Sequence, residues 1–555
     1  MLYVASIITT KFLFYFYLQN DFADLSWQAA VYAIFWGYKF DFSIAALLAF
    51  FASLFDFNKK VYALVSTLFL VLIINIQIGD ILYFAEAGRH VSYEIFDIFV
   101  DAKSLFLTAY SQHFLLVLLA LIVSIVVFFA GFSRWQGVII GEFNRFYLPK
   151  KITLLILSIF FIRGMSVQGI PINPWQAGQL ANNQQAALAL NASYSVIFAL
   201  FNKNKTIRQR RIPMIDQAVI EQSIQVLYAD KNTEINTPIL TSKPNVVMLF
   251  LESWSANYMQ SYGYPHSTTP YFDTILKQSI RPRAMVAGGH RTSEGMFATL
   301  SSMQNPLGGT IAKTALQNVA HPSIVKNLQQ IGYSSAFFQG TSKETSGVGS
   351  FAQSLGFTDS FGKRDIANSK YPNNNWGVQD YDLYQFALTQ VQSMSSPFVI
   401  GINGATTHDL VVPKGFPQKH FSDDKDFNTM LNTYRFADFS LEYFVKAIRQ
   451  KYPNTVFVLF ADHTGSRLSG NLDNYLIPFA LYAPGILAAQ YKDVILSQRD
   501  IAPSLYDLII GDATKTKFSG KSIFRKAYYF ADYFHNNVLG WIEAEDVVEI
   551  NIQTG

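Results

Sequence analysis

Five polar residues have types and settings that could do chemistry together. They are Glu252 in NVVMLFLESW, Thr292 in GGHRTSE, His408 in ATTHD, and the adjacent pair Asp462 and His463 in VFVLFADHTG. Two carboxylates and an imidazole make an oxygen/nitrogen ligand set for one divalent ion, suited to zinc or manganese and less well to magnesium. A threonine hydroxyl is a weak nucleophile at its ordinary pKa, and metal coordination is one way to activate it. Thr292 would then be both the fourth ligand and the nucleophile. It lies in a glycine-rich turn followed by MFATLSSM, which reads as a helix, and a helix N-terminus offers backbone N–H groups to a phosphate. His408 could hydrogen-bond a phosphoryl oxygen or protonate a leaving group. Each residue alone has a plainer account. Glu252 would cap the next helix, and Asp462–His463 would form a turn with a surface histidine. Thr292 would be a helix N-cap completed by Ser293 or Glu294, and His408 a structural loop residue.

The elements that carry these residues favour the joint reading. Asn245–Glu252, Pro397–Ala405, Asn454–Asp462 and Ile477–Ala483 are continuous apolar runs, as buried strands of a parallel sheet are. Helical stretches alternate with them at Ser323–Ile331, Asp380–Ser395, Asn432–Tyr452 and Asp500–Ile510. The alternation predicts an α/β domain whose mostly parallel central sheet has helices on both faces. Ligands of such sheets bind beyond the carboxyl ends of the strands, which is where Glu252, His408, Asp462 and His463 fall.

The front of the chain is of another kind. Charged residues are 15% of the 555 residues, against about 25% in an ordinary soluble protein, and the deficit is concentrated in the first third. Five apolar segments, near 2–18, 28–55, 61–84, 113–132 and 150–169, approach the roughly 20 residues that span a bilayer. They predict a five-span α-helical membrane domain over 1–169. The first begins at Met1 with no basic leader or cleavage site, as an anchor does. Lys59, Lys60, Arg134, Arg145, Lys150 and Lys151 follow the even-numbered segments, whereas Asp21, Asp24, Glu86, Glu94, Asp97 and Asp101 follow the odd ones. Basic loops face the cytoplasm, so the chain is expected to leave the fifth segment on the outside. Lys39, Asp41 and Arg163 within the spans would be costly against lipid. They would line a lipid path, snorkel, or pair between helices.

Residues 170–244 read as a juxtamembrane helical linker, with the basic run KNKTIRQRR suited to anionic headgroups or to plain solvation. Residues 245–555 remain for the extracytoplasmic domain. A net charge of +4, dispersed along the chain, gives no case for nucleic acid. With no cysteine, disulfides, thiolate metal sites and a cysteine nucleophile are excluded.

The ordered motifs NVVMLFLESW, GGHRTSEGMFATLSS, ATTHDLVVP and FADHTG, with SQRDIAPSLYDLI and FSGKSIF near the C-terminus, resemble the alkaline-phosphatase/sulfatase superfamily. Within it the chain is similar to the lipoteichoic acid synthase-like branch of membrane transferases. The resemblance implies Glu252, Thr292, Asp462 and His463 as ligands of one divalent ion, usually Mn2+, with Zn2+ or Mg2+ as alternatives. It implies Thr292 as nucleophile and His408 as a substrate contact. The implied chemistry moves a phosphoglycerol headgroup from phosphatidylglycerol, through a phosphoryl-threonine, to an envelope glycan or polymer hydroxyl. The setting would be a bacterial plasma membrane.

The lipoteichoic acid synthases bind glycerol phosphate with a Trp-x-Arg pair, and the corresponding stretch, KETSGVGSFAQSLGF at 343–357, has neither residue. Trp376, Arg364 and Arg291 are the candidates to replace it. Phosphoethanolamine transferases share the scaffold, and SANYMQSYGYPHSTTPYFD fits their pattern equally, although their domains usually contain disulfides. A sulfatase-type hydrolase needs Cys/Ser-x-Pro-x-Arg where this chain has Thr292 followed by Ser-Glu-Gly-Met. A non-catalytic lipid-binding relative would be expected to have lost the nucleophile or the ligands.

Overall fold

The structure is a computed structural model. It describes residues 1–19, 21–23, 25–87, 90–91, 114–136, 147–165, 171–180, 183–201, 215–228, 240, 242–307, 309–465, 471–535 and 538–551. Asp24, Glu94, Asp97, Asp101, Arg145 and the basic run 202–211 lie outside them. The chain forms two compact units. One comprises Met1–Arg208 with Lys313–Ala320, the other Gln209–Ala312 with His321–Gly555.

In the first unit, helices occupy the apolar segments: Leu2–Tyr17, Trp27–Trp36 with Tyr38–Ser53, Lys59–Ala87, Phe114–Gln136 and Tyr147–Ile162. Among the described residues, three stretches, Trp27–Ser53, Lys59–Ala85 and Val117–Gln136, are long and apolar enough to cross a membrane by length and composition. The first and last helices have 16 residues each. At 1.5 Å per residue that is about 24 Å, short of the roughly 30 Å hydrocarbon core. Five full spans are therefore an expectation that helix length meets at three. One buried charge within the bundle is paired: the Lys11 ammonium lies 2.7 Å from Asp41 Oδ1, and Asn191 Nδ2 donates to the same oxygen at 2.8 Å. Asp41 thus takes the pairing role among those the sequence left open, and Lys11 is its partner.

The second unit is built on a nine-stranded mixed sheet. Its strands are β1 (Asn245–Leu251), β2 (Ile280–Val286), β3 (Ser334–Gln339), β4 (Asp359–Phe361), β5 (Phe398–Asn403), β6 (Thr455–Ala461), β7 (Leu476–Ile477), β8 (Phe479–Tyr482) and β9 (Gln490–Ser497). The order is β4-β3-β5-β1-β6-β8-β2-β7, with β9 on β2. From β4 to β6 all pairings are parallel. The run Ile477–Ala483 does form strands, but β8 is antiparallel to β6. Every residue of β1, β5 and β6 is buried, which is why their sequences are apolar without alternation. A separate antiparallel sheet of β10 (Ala531–His535), β11 (Val538–Glu543) and β12 (Asp546–Asn551) follows.

Candidate active site

The register of the central strands brings the first two ligand candidates together. β1 lies between β5 and β6, with Leu251 opposite Ala461 and Phe250 opposite Asn403. The next residues of β1 and β6, Glu252 and Asp462, therefore emerge side by side. His463 joins them, and ligand atoms of Glu252, Asp462 and His463 all lie within 4.8 Å of one another. All three are buried.

Each is held in a defined orientation. Asp462 Oδ1 accepts from the backbone N–H groups of Ser253 and His463, both at 2.9 Å. His463 Nδ1 faces the Thr464 carbonyl at 2.9 Å. A carbonyl can only accept, so Nδ1 carries a proton, and Nε2 is the nitrogen that offers a lone pair once the ring is neutral. That Nε2 is 3.5 Å from both Glu252 Oε1 and Asp462 Oδ2. A backbone carbonyl fixing the tautomer of a ligating histidine is the usual support for a metal site. Asn403 Nδ2 reaches Glu252 Oε2 at 3.2 Å and Asp462 Oδ2 at 3.5 Å.

Thr292 opens the helix Thr292–Ser301, and its Oγ1 lies 3.4 Å from Glu252 Oε2. The N-cap is Arg291, with no side-chain cap hydrogen bond, so Thr292 does not serve as the cap; Glu294 Oε2 accepts the backbone N–H of His290 at 2.7 Å. The helix can approach the end of β6 because residue 295 is glycine: a β-carbon there would collide with the Asp462 carbonyl. His408, in the turn after β5, donates from Nδ1 to Glu252 Oε1 at 3.0 Å. That turn is clamped by buried Asp380, which accepts the N–H groups of Ala405 at 2.8 Å and Thr406 at 3.0 Å. The Trp376 ring stands edge-on to the His408 ring with centroids 4.3 Å apart. Arg291 is exposed, its Nε 4.0 Å from Glu294 Oε1. Arg364 is also exposed and faces Glu344 at 3.5 Å. Of the three residues considered as replacements for the missing Trp-x-Arg pair, Trp376 is the one in contact with His408.

Electrostatics reflect the crowding of two buried carboxylates. Burial drives Glu252 upward, but hydrogen bonds and charge from His408 and His463 outweigh it and hold the carboxyl well below its usual range. Asp462 is pushed up to about 7 by burial and by the neighbouring Glu252 charge. His463, which burial alone would lower, is raised to about 10 by Asp462 and Glu252. The polypeptide compensates this negative pair with protons, and a divalent cation supplies the same compensation. The donor set fits one: two buried carboxylates, an imidazole nitrogen with its proton on the far side, and a hydroxyl beside them.

Sequence reasoning missed two residues that hold the site together. Asn403 ends an apolar run as its one long polar side chain, a signal that could have been read. Gln498 is fully buried and links the Thr292 turn to the end of β6 through main-chain atoms, for which no local pattern exists.

A family model described as Sulfatase matches residues 244–511. The chain carries a sulfatase-family domain. It is 21% identical over 322 residues to lipoteichoic acid synthase 1 of Bacillus subtilis (strain 168), covering 53% of this chain and 50% of that protein. The chain thus spans about half the length of this curated relative. A protein of the alkaline phosphatase superfamily from Vibrio parahaemolyticus superposes with a TM-score of 0.51 at 21% identity, covering 61% of this chain and 83% of that one. That likeness shows the fold. The lipoteichoic acid synthase LtaP of Listeria monocytogenes gives 0.47 at 15% identity, with 59% and 90% covered.

Proposed function

We propose that this chain is a membrane-bound, metal-dependent transferase that moves a phosphoglycerol headgroup from phosphatidylglycerol to a hydroxyl of an envelope glycan or glycerol-phosphate polymer. The observation that carries the reading is the position of Thr292. A hydroxyl at the first turn of a helix lies 3.4 Å from Glu252, beside the buried Glu252/Asp462/His463 group. The name of the Bacillus subtilis relative supports the substrate class. The three apolar stretches support a membrane setting, in which a lipid headgroup is the nearest activated donor. Expected surroundings are a bacterial plasma membrane, with the second unit outside the cytoplasm.

Glu252, Asp462, His463 and Thr292 would hold the ion, Mn2+ by expectation, which when bound lowers the pKa of the threonine hydroxyl and draws charge from the phosphoryl group. Thr292 Oγ, its proton released to solvent, attacks phosphorus, and the bond from phosphorus to the diacylglycerol oxygen breaks. His408, its Nδ1–H held by Glu252, would donate the proton of its other ring nitrogen, Nε2, to a phosphoryl oxygen or to the departing oxygen. Its pKa is raised by the hydrogen bond to Glu252, which favours the donor form. Diacylglycerol leaves with that proton. An acceptor hydroxyl then attacks the phosphoryl-threonine, the Thr292–phosphorus bond breaks, and the hydroxyl proton returns to the protein. The helix N-terminus offers amide N–H groups to the phosphoryl oxygens in both steps.

The test is mass spectrometry of the Thr292 peptide after the full chain is incubated separately with phosphatidylglycerol and phosphatidylethanolamine. A glycerol-phosphate adduct that is absent in Thr292→Ala supports the reading. An ethanolamine-phosphate adduct instead reassigns the headgroup. Full turnover by Thr292→Ala overturns the nucleophile.

A further inference from the structure

The helix Gln217–Tyr228 of the second unit has no buried residue, yet half of it is apolar. At about 100° per residue, Val219, Ile220, Ile224, Val226 and Leu227 fall within about 160° of its circumference, and Gln217, Glu221, Gln222 and Gln225 occupy the rest. Val219, Ile224 and Val226 are 52%, 51% and 61% exposed. Ser223 is the polar residue inside the apolar half, and its hydroxyl donates to the Val219 carbonyl at 2.7 Å. That donor is therefore used within the helix. On the opposite half Gln217 Nε2 donates to Glu221 Oε1 at 2.9 Å, a pairing suited to a face in water.

A helix of this pattern buries its apolar half against something. The second unit holds the helix at its C-terminal end, where the Lys521 ammonium bonds the Leu227 carbonyl and stands 5.6 Å from the centre of the Tyr228 ring. Residues Gln217–Val226 are exposed throughout. The chain itself indicates the cover. Residues 202–216 join this helix directly to the helix Ala192–Phe201 of the first unit, which carries the apolar stretches. In sequence they bring Lys203, Lys205, Arg208, Arg210 and Arg211, and no acidic residue precedes Asp216. A cluster of cations next to a membrane is drawn to anionic headgroups. A helix with one apolar half beside such a cluster lies in the interface plane, that half among the acyl chains.

We propose that the helix Gln217–Tyr228 lies on the bilayer surface, with Val219, Ile224 and Val226 inserted among the lipids, and holds the second unit against the membrane. The inference rests on the membrane setting proposed above and not on the transfer chemistry.

The chain has no cysteine, so one introduced cysteine takes a fluorophore at one place. A nitrobenzoxadiazole label is attached to the full chain at Val219→Cys, Ile224→Cys, Glu221→Cys or Gln225→Cys, and each protein is reconstituted in vesicles of phosphatidylcholine and phosphatidylglycerol. Leu121→Cys, 58% exposed within the candidate span Val117–Gln136, is the reference for lipid contact. Nitroxide-bearing lipid quenches a label in the bilayer, and acrylamide quenches one in water. The expected result at Val219→Cys and Ile224→Cys is a blue-shifted emission and loss of fluorescence to the nitroxide lipid, as at Leu121→Cys. At Glu221→Cys and Gln225→Cys the loss should be to acrylamide. Acrylamide quenching at all four helix positions overturns the proposal, because the helix then stands in water. Access of neither quencher to Val219→Cys and Ile224→Cys also overturns it, because protein then covers the face. If lipid quenching fails at Leu121→Cys as well, the membrane setting falls and the inference with it. If it succeeds there and fails on the helix, the inference alone falls.

Discussion

Gln498 donates from Nε2 to the main-chain carbonyl of Asp462 at 2.9 Å and to that of Ala461 at 2.8 Å, while its Oε1 accepts the Gly288 N–H at 2.6 Å. One buried amide therefore ties the strand end that supplies two ligand candidates to the turn that supplies the proposed nucleophile. The two pieces are far apart in sequence, and their relative placement decides whether Thr292 Oγ1 can reach the carboxylate side of the site.

Gln498→Leu preserves bulk but strands two carbonyls and one N–H. The expected destabilisation is about 1–3 kcal/mol for each group left buried and unpaired, seen as a lower Tm. A displacement of about 1 Å at a reacting group can cost about 100-fold, so kcat should fall while metal content stays near that of the native chain. Native kcat alongside a lowered Tm would make Gln498 a brace for the fold alone.

Metal content tests the ligand set separately from turnover. Glu252→Gln and Asp462→Asn keep shape and remove a negative charge each, so elemental analysis of the purified variants should find metal well below the native stoichiometry. Chelation of the native chain should lower Tm, since a ligand that binds only the folded state stabilises by RT ln(1 + [L]/Kd). Unchanged metal in both variants would remove Glu252 and Asp462 from the set.

What the sequence disclosed and what it hid follow from the range of the interactions involved. β1, β5 and β6 were readable because a strand buried on both faces has no polar positions, and the residue that breaks the run marks the strand end. The helix expected over Asn432–Tyr452 begins earlier, at Lys425, because Asp424 accepts the Phe427 N–H at 2.9 Å; the apolar face starts after the cap. β2 and β9 escaped because half-buried strands carry charged residues such as Arg281, Arg283 and Asp493 on the open face, and Pro282 interrupts the pattern. Glu252, Asp462, His463 and His408 were found by strand-end placement, and the structure brings them together. Their support did not show, because Gln498 and Asp380 act on main-chain atoms that any residue could supply.

Trp376 contacts His408 edge-on yet is 49% exposed, an unusual amount for a large aromatic whose only task is packing. Trp376→Ala should leave Tm nearly unchanged, because little apolar area is lost. It should reduce kcat/KM for the lipid donor about tenfold, equivalent to about 1.4 kcal/mol of lost positioning. Arg364→Ala, whose guanidinium faces Glu344, should change neither quantity. Lipid-vesicle assays of the two variants side by side check the contrast, and equal losses would take Trp376 out of the site.

Asp438 provides a pH test away from the candidate metal ligands. Its buried carboxylate accepts the N–H groups of Tyr271 and Phe272, both at 2.8 Å, at the start of the helix Pro270–Leu276. Burial pushes its pKa up to about 8, against the lowering effect of those two bonds. Unfolded, the group titrates near 3.8. The folded state therefore holds the proton more tightly. Its stabilising contribution is complete below about pH 4 and is lost as pH rises to about 8. Asp438→Asn cannot ionise, so the Tm of the variant relative to the native chain should rise from pH 5 to about pH 8 and level off between there and pH 9. Thermal denaturation of both proteins across that range, at fixed metal and detergent, is the measurement. A difference that stays flat with pH would mean that Asp438 is ionised throughout and caps the helix as an anion.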